Sequence, residues 1–171
     1  KWDFWFLFSR RNSKPMSGLI GEYVCKLDEK GRLSLPSRLR AQFPESAGNT
    51  LVVNRGFEKC LVLYTREDWS EETGKLTAVD DFLSPEIRRF KRIFTNGANL
   101  VQIDNAQRVL IPKKLCEYAE LTDEVVLSAY GNKVEIWSRS NYETELSVDS
   151  DELSKLAQFF HQQQSGNRKE S

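Results

Sequence analysis

Asp28-Glu29-Lys30-Gly31-Arg32-Leu33-Ser34-Leu35-Pro36 is written twice in this chain. Seventy-six residues later the sequence reads Asp104-Asn105-Ala106-Gln107-Arg108-Val109-Leu110-Ile111-Pro112, with Asp, Arg and Pro at unchanged spacing. The downstream segments repeat as well. Pro36 leads into Ser37-Arg38-Leu39-Arg40-Ala41-Gln42-Phe43, and Pro112 into Lys113-Lys114-Leu115-Cys116-Glu117-Tyr118-Ala119. Two apolar runs then close each copy: Leu51–Val53 and Cys60–Tyr64 in the first, Val125–Leu127 and Val134–Trp137 in the second. A unit of this length present twice implies a two-copy fold, since solenoid arrays need three or more repeats to bury their faces.

Each copy has a physical reading. Before Asp28, Tyr23, Cys25 and Leu27 alternate with Glu22, Lys26 and Asp28, the period of a strand with one buried face. Asp-x-x-Gly is turn chemistry: the Asp carboxylate bonds backbone two residues on, and Gly31 supplies a positive φ cheaply. Arg32 opens the return strand just outside that turn, and Pro36 suits the first turn of a short helix. The unit is therefore strand, tight turn with basic residues, strand, short helix and second hairpin. Copy two has Gln107 where copy one has Gly31, so its turn must be wider or strained, which leaves the aim of Arg108 open.

Composition sets the bounds. The 171 residues suffice for one or two small domains. With 39% hydrophobic and 29% charged residues the chain is an ordinary globule, and its net charge is zero. Charge is nevertheless sorted: residues 67–83 carry six acids and one base, residues 84–114 seven bases and two acids. A polyanion site must come from that sorting and not from bulk charge. Cys25, Cys60 and Cys116 are odd in number and lie in apolar strand or helix contexts, which reads as reduced core thiols and not as disulfides or metal ligands.

Lys1 to Phe8 is an aromatic run too short to span a membrane and lacks a signal-peptide pattern. Met16, the only methionine, stands where the patterned sequence begins. Residues 1–15 are therefore expected to be an upstream extension or expression scar outside the fold, with a peripheral anchor as the functional alternative. Residues 66–79 read as a helix. Ser84-Pro85-Glu86 starts another, with Ser as cap and Pro in the first turn, and Asn96-Gly97 stops it. That helix is two-faced: Ile87, Phe90 and Phe94 on one side, Arg88, Arg89, Lys91 and Arg92 on the other. The four bases read as a solvated face paired to the preceding acids. Tyr142 to Phe160 keep helical spacing, broken at Ser147–Asp151, and the polar tail from His161 is expected to be disordered.

Catalysis finds little support. His161 is the only histidine and lies in the tail, which removes triads and multi-histidine metal sites. No Gly-rich phosphate loop or Cys-x-x-Cys pair occurs. The chain is expected to be no enzyme and to hold no metal or cofactor.

Two copies of Asp-x-x-x-Arg, each followed by an apolar strand and Pro and separated by an acidic helix and one containing Arg88-Arg89-Phe90, resemble the bacterial MraZ family of transcriptional regulators. The resemblance covers roughly Gly18 to Phe160. It implies an α+β, β-rich fold, a double-split β-barrel built from two interlocked AbrB-like swapped-hairpin repeats with helices between and after them. The expected organisation is a first repeat over 18–64, a helical linker over 65–96, a second repeat over 97–140, a C-terminal helix over 141–160 and the tail over 161–171. It also implies a cytoplasmic, nucleoid-associated protein with no membrane partner, assembled into rings of eight or more protomers. Its partner would be double-stranded DNA, bound at direct repeats upstream of its own gene to repress the division and cell-wall cluster. Carried over by motif, the DNA-contacting residues are Arg32, with Lys30 beside it, and Arg108. Arg38, Arg40, Lys113 and Lys114, after each Pro, are further candidates, while Asp28, Gly31 and Asp104 form the turns. An ion pair of Arg32 with Asp28 that steadies the turn is a compatible second role. The alternative function is an antitoxin-like or scaffold module of the same fold, using residues 138–171 to hold a protein partner.

Overall fold

A computed structural model describes residues 18–166, with side chains through residue 162. The expectation for residues 1–15 lies outside the described residues. The described chain divides into two compact units, one ending at Arg139 and one beginning at Ser140.

The first unit is built from the repeats strand by strand. Copy one supplies β1 (Leu19–Lys26), β2 (Arg32–Ser34), β3 (Thr50–Arg55) and β4 (Cys60–Thr65). Copy two supplies β5 (Asn99–Gln102), β6 (Arg108–Leu110), β7 (Glu124–Gly131) and β8 (Lys133–Ser138). Six of these form one open antiparallel sheet in the order β1-β7-β8-β4-β3-β5, and β2 and β6 form a separate two-stranded ribbon. The sheet order is a palindrome of the two copies. The first strand of each copy lies at an edge beside the third strand of the other, and the fourth strands meet in the middle.

This arrangement corrects the first hairpin of each copy. β1 and β2 form no ladder with each other, only a bridge between Leu27 and Leu33 beside the Asp28 amide's bond to the Arg32 carbonyl, and β5 and β6 likewise only one between Ile103 and Val109. The return strand leaves its own predecessor because its buried side chains are better covered by its counterpart. In the ribbon Leu33 pairs with Val109, and both side chains are fully buried. Burying a side chain of this size is worth about 1.5–3 kcal/mol. Neither repeat can make that contact alone, so the pair locks the copies together.

The core obeys the same symmetry. Leu27 and Ile103, Leu33 and Val109, Leu35 and Ile111, and Leu39 and Leu115 are repeat-equivalent pairs, and all eight belong to one buried cluster. Short helices α1 (Ser37–Arg40) and α4 (Lys113–Tyr118) start at Pro36 and Pro112 and insert Leu39 and Leu115 into it.

Between the copies, α2 (Arg66–Thr77) and α3 (Pro85–Thr95) form as the spacing predicts. Thr65 caps α2 by accepting the Asp68 amide at 3.1 Å, and Ser84 caps α3 by accepting that of Ile87 at 3.3 Å. Trp69 of α2 lies tilted against Tyr64 of β4 at 5.6 Å, and Phe94 of α3 stacks on Trp69 at 5.7 Å. From β3, Asn54 Nδ2 donates to the Phe94 carbonyl and an Arg55 Nη to that of Ile93, which satisfies the end of α3. The bases of α3 are spent in part. Lys91 pairs with Asp81 at 3.1 Å as expected of an acidic neighbour, whereas Arg88 donates to the carbonyls of Asp81 and Phe82.

After β8 the chain forms α5 (Arg139–Glu145) and α6 (Ser150–Gly166), two helices where one was expected over 141–160. The break spans residues 146–149 and overlaps the expected one over 147–151. Helix α6 continues through His161 to Gly166, which corrects the disordered tail over those residues. Asp149 caps it by accepting the Glu152 amide at 2.8 Å, and Gln is a good helix former, so polarity alone does not end it. Residues 167–171 lie outside the described residues.

Candidate nucleic-acid interface

The two Asp-to-Arg turns are the same object. In copy one, Asp28 Oδ1 accepts the amides of Lys30 and Arg32 at 2.9 Å each, and the Gly31 amide donates to the Asp28 carbonyl at 2.8 Å. In copy two, Asp104 Oδ1 accepts the amides of Ala106 and Arg108 at 2.8 and 2.9 Å, and the Gln107 amide donates to the Asp104 carbonyl at 2.9 Å. Gly31 takes φ +79° and Gln107 takes φ +57°. The second turn is thus no wider than the first. It is the strained alternative, with a side chain held in the left-handed region at about 1–2 kcal/mol.

The strain persists because the turn is anchored from outside. The Leu35 amide donates to the Gln107 carbonyl at 2.9 Å, and the Ile111 amide to the Gly31 carbonyl at 2.8 Å. Each turn is pinned by the strand exit of the opposite repeat.

The second carboxylate oxygens hold the arginines. Arg32 Nε donates to Asp28 Oδ2 at 2.6 Å, and Arg108 Nε to Asp104 Oδ2 at 2.9 Å, with an Arg108 Nη also 2.8 Å from that oxygen. Both carboxylates are held below their ordinary pKa. For Asp28 the first cause is the backbone bond from Arg32, followed by its side chain; for Asp104 it is the Arg108 side chain, followed by its backbone. The expected Arg32–Asp28 ion pair is therefore present, and it orients the guanidinium. Arg32 is gripped through Nε, and no hydrogen bond from its Nη groups is seen among the described residues.

Ribbon register brings the two arginines onto one surface. Arg32 lies opposite Leu110, and Ser34 opposite Arg108. Because Leu33 and Val109 point inward, these four side chains share the outward face. Arg32 and Arg108 are diagonal neighbours across the ribbon, a separation of about 7–8 Å. Their side chains are 36% and 32% exposed.

The remaining predicted residues divide. Lys30 is exposed on the first turn, and Arg38, Lys113 and Lys114 are exposed on the short helices. Lys113 lies 3.8 Å from Glu117 in a pair open to solvent, a contact worth ~0–1 kcal/mol. The swap interleaves them, since the Gly31 carbonyl is bonded to Ile111, two residues before Lys113, and the Gln107 carbonyl to Leu35, three before Arg38. Arg40, on the same short helix as Arg38, is half-buried. One of its Nη groups donates to the Gly48 carbonyl at 2.7 Å, and its guanidinium lies 5.8 Å from the Phe43 ring centre. The structure adds Ser34 and Leu110, which sequence reading passed over as strand residues; their outward position was legible in the alternation around Leu33 and Val109.

Elsewhere, no group of His, Cys, Asp and Glu among the described residues is placed to hold a metal ion. Cys25, Cys60 and Cys116 form no disulfide, and burial pushes the Cys25 thiol up to about 11. His161 sits on α6 in the second unit. Among the described residues no helix is long and apolar enough to cross a membrane.

Comparison with known proteins agrees with the doubled architecture. A family model described as "MraZ protein, putative antitoxin-like" matches twice, over residues 19–93 and 94–163. The chain is 40% identical over 143 residues to the transcriptional regulator MraZ of Cytophaga hutchinsonii, covering 84% of this chain and 94% of that protein. It is 39% identical over 144 residues to that of Christiangramia forsetii, covering 84% and 92%. With the Moorella thermoacetica regulator of the same name it shares 38% identity over 139 residues, covering 81% and 94%.

Proposed function

The chain belongs to the MraZ family, and from that premise we propose that it is a sequence-specific DNA-binding transcriptional regulator. In this proposal it represses the division and cell-wall gene cluster by binding direct repeats upstream of its own gene, in the cytoplasm at the nucleoid. It performs no catalysis.

The observation that carries the proposal is the β2–β6 ribbon with Arg32 and Arg108 on its outward face. A two-stranded ribbon fits the major groove, and the Arg fork matches the O6/N7 edge of guanine. Asp28 and Asp104 hold the forks before DNA arrives, so less side-chain freedom is lost on binding. Lys30, Arg38, Lys113 and Lys114 contact phosphates and fix the register. Arg40, one of whose Nη groups donates to the Gly48 carbonyl, is a further phosphate-contact candidate.

Magnitudes argue for assembly. Two bidentate arginines supply about 2–6 kcal/mol of discrimination, against the roughly 4–10 kcal/mol that separates specific from non-specific binding. A protomer of zero net charge has little long-range attraction to make up the difference. Several protomers reading successive repeats close the gap by avidity. The proposed assembly is a homo-oligomeric ring of eight or more protomers. Exposed Ile20 and Val24 on edge strand β1, Leu100 on edge strand β5, and Phe82 and Leu83 in the α2–α3 loop offer apolar surface for its contacts.

A gel shift with DNA upstream of the chain's own gene tests the proposal. Retarded complexes that need intact repeats and weaken steeply with salt are expected; indifference to the repeats would refute it. The antitoxin-like or scaffold alternative draws on exposed Leu153, Leu156 and Phe160, spaced i, i+3 and i+7 on α6. Under that alternative, deleting residues 150–171 would abolish partner capture and DNA would not bind.

A further inference from the structure

The outward face of the ribbon is not symmetric. Arg32 and Arg108 are repeat-equivalent, but the two residues between them are not: copy one places Ser34 there and copy two Leu110. Leu110 lies directly opposite Arg32, with Cβ atoms about 4.5–5.5 Å apart. Its side chain is 58% exposed although Val109 beside it is fully buried. One methyl group leans toward the first turn, with Cδ1 3.9 Å from where a side chain on Gly31 would stand. The core gains little from Leu110, because Leu33 and Val109 already fill the inner side of the ribbon. An apolar side chain between two oriented guanidinium groups faces whatever those groups face.

We infer that Leu110 is a specificity residue that packs on the C5-methyl group of a thymine adjacent to the guanine contacted by Arg32. This inference rests on the DNA-binding reading above. In the major groove the thymine methyl is the one apolar feature among the base edges, and apolar side chains recognise it. Spacing allows it, since side chains about 4.5–5.5 Å apart at Cβ can converge on base edges stacked about 3.4 Å apart. Ser34, beside Arg108, can hydrogen-bond to more than one base edge and makes no such demand. The chain therefore reads a half-site that requires thymine through Arg32 and Leu110, and a tolerant one through Arg108 and Ser34. A pseudo-symmetric ribbon thereby gains a direction, which recognition of direct rather than inverted repeats needs.

The test is selection from random duplex DNA with the full chain, followed by titration of the selected site with single thymines replaced by deoxyuridine, which lacks only the methyl. Wild type should lose about fourfold in affinity at one thymine next to the guanine, the value of burying one such group. Leu110→Ser, which copies the residue copy one carries at this position, should bind the thymine and uracil forms equally. Ser34→Leu should acquire a second methyl-sensitive position. Light scattering should give Leu110→Ser the wild-type mass. The inference is overturned if wild type selects a sequence yet no uracil replacement weakens binding, or if Leu110→Ser keeps the wild-type penalty. It is also overturned if Leu110→Ser changes mass with base preference intact, which would make Leu110 a protomer contact. Failure of wild type to select any sequence would remove the DNA-binding reading itself.

Discussion

The Gly31 turn and the Gln107 turn share one geometry reached at different cost. Copy one uses the residue that a positive φ favours, and a Cβ there would stand 2.9 Å from the Ile111 carbonyl oxygen. Copy two places a glutamine at φ +57° and keeps the same hydrogen bonds. Local propensity alone would have opened the second turn. The clamp from Leu35, reached through the swap, holds it closed. In an interlocked pair of repeats, each copy templates the other, and a substitution that one copy could not tolerate alone survives.

The comparison breaks most visibly at the ribbon core. Leu33→Ala should cost about 2–5 kcal/mol, with Val109→Ala costing less because it removes less. Both should lower a single denaturant unfolding transition of the first unit, as the two side chains fill one cluster. Two separate transitions would mean that the repeats fold independently.

Exchanging the turn residues sharpens the comparison. Gly31→Gln should destabilise by at least the roughly 1–2 kcal/mol of left-handed geometry, plus the displacement of the Ile111 carbonyl. Gln107→Gly should stabilise by up to ~1 kcal/mol, since relieved strain is partly offset by a freer unfolded chain. Thermal midpoints of the two variants therefore move in opposite directions. A drop for Gln107→Gly would show that its side chain contributes something the backbone does not reveal.

The carboxylates give the smallest and finest contrast. Both are depressed, so their contribution to turn order is fully present above the unfolded value near ~3.9 and lost as pH falls through the lower folded value; order at neutral pH is unaffected. NMR titration should place both midpoints below ~3.9. Arg32→Ala should raise Asp28 and Arg108→Ala should raise Asp104, because each arginine side chain is among the causes that lower its carboxylate. An unchanged midpoint in either variant would contradict the ion pair there.

Much of this molecule was legible from residue order. The doubled motif, the Ser84 cap with Pro85 in the first turn, the stop at Asn96 and the turn role of Asp28 and Asp104 all depend on local chemistry, which sequence displays. What sequence hid depends on partners far along the chain. The ribbon pairing of Leu33 with Val109 joins residues of opposite repeats, and nothing within either copy names its partner. Resemblance implied the interlock, but periodicity alone predicted a self-paired hairpin. Arg40 differs from Arg38 in donating to the Gly48 carbonyl, a partner that the local sequence does not name. Gln107 was read by propensity, whereas its conformation is set by the opposite strand.

The equivalence of the two arginines is tested most directly by titrating a repeat-containing DNA duplex, by fluorescence anisotropy, with wild type, Arg32→Ala and Arg108→Ala. Each substitution should weaken specific binding by a similar factor, roughly 5- to 150-fold for each guanidinium removed. Thermal midpoints should stay near wild type, since an exposed ion pair contributes only ~0–1 kcal/mol. Binding that survives Arg108→Ala but not Arg32→Ala would contradict the shared face. So would a variant that melts early yet binds DNA as tightly as wild type.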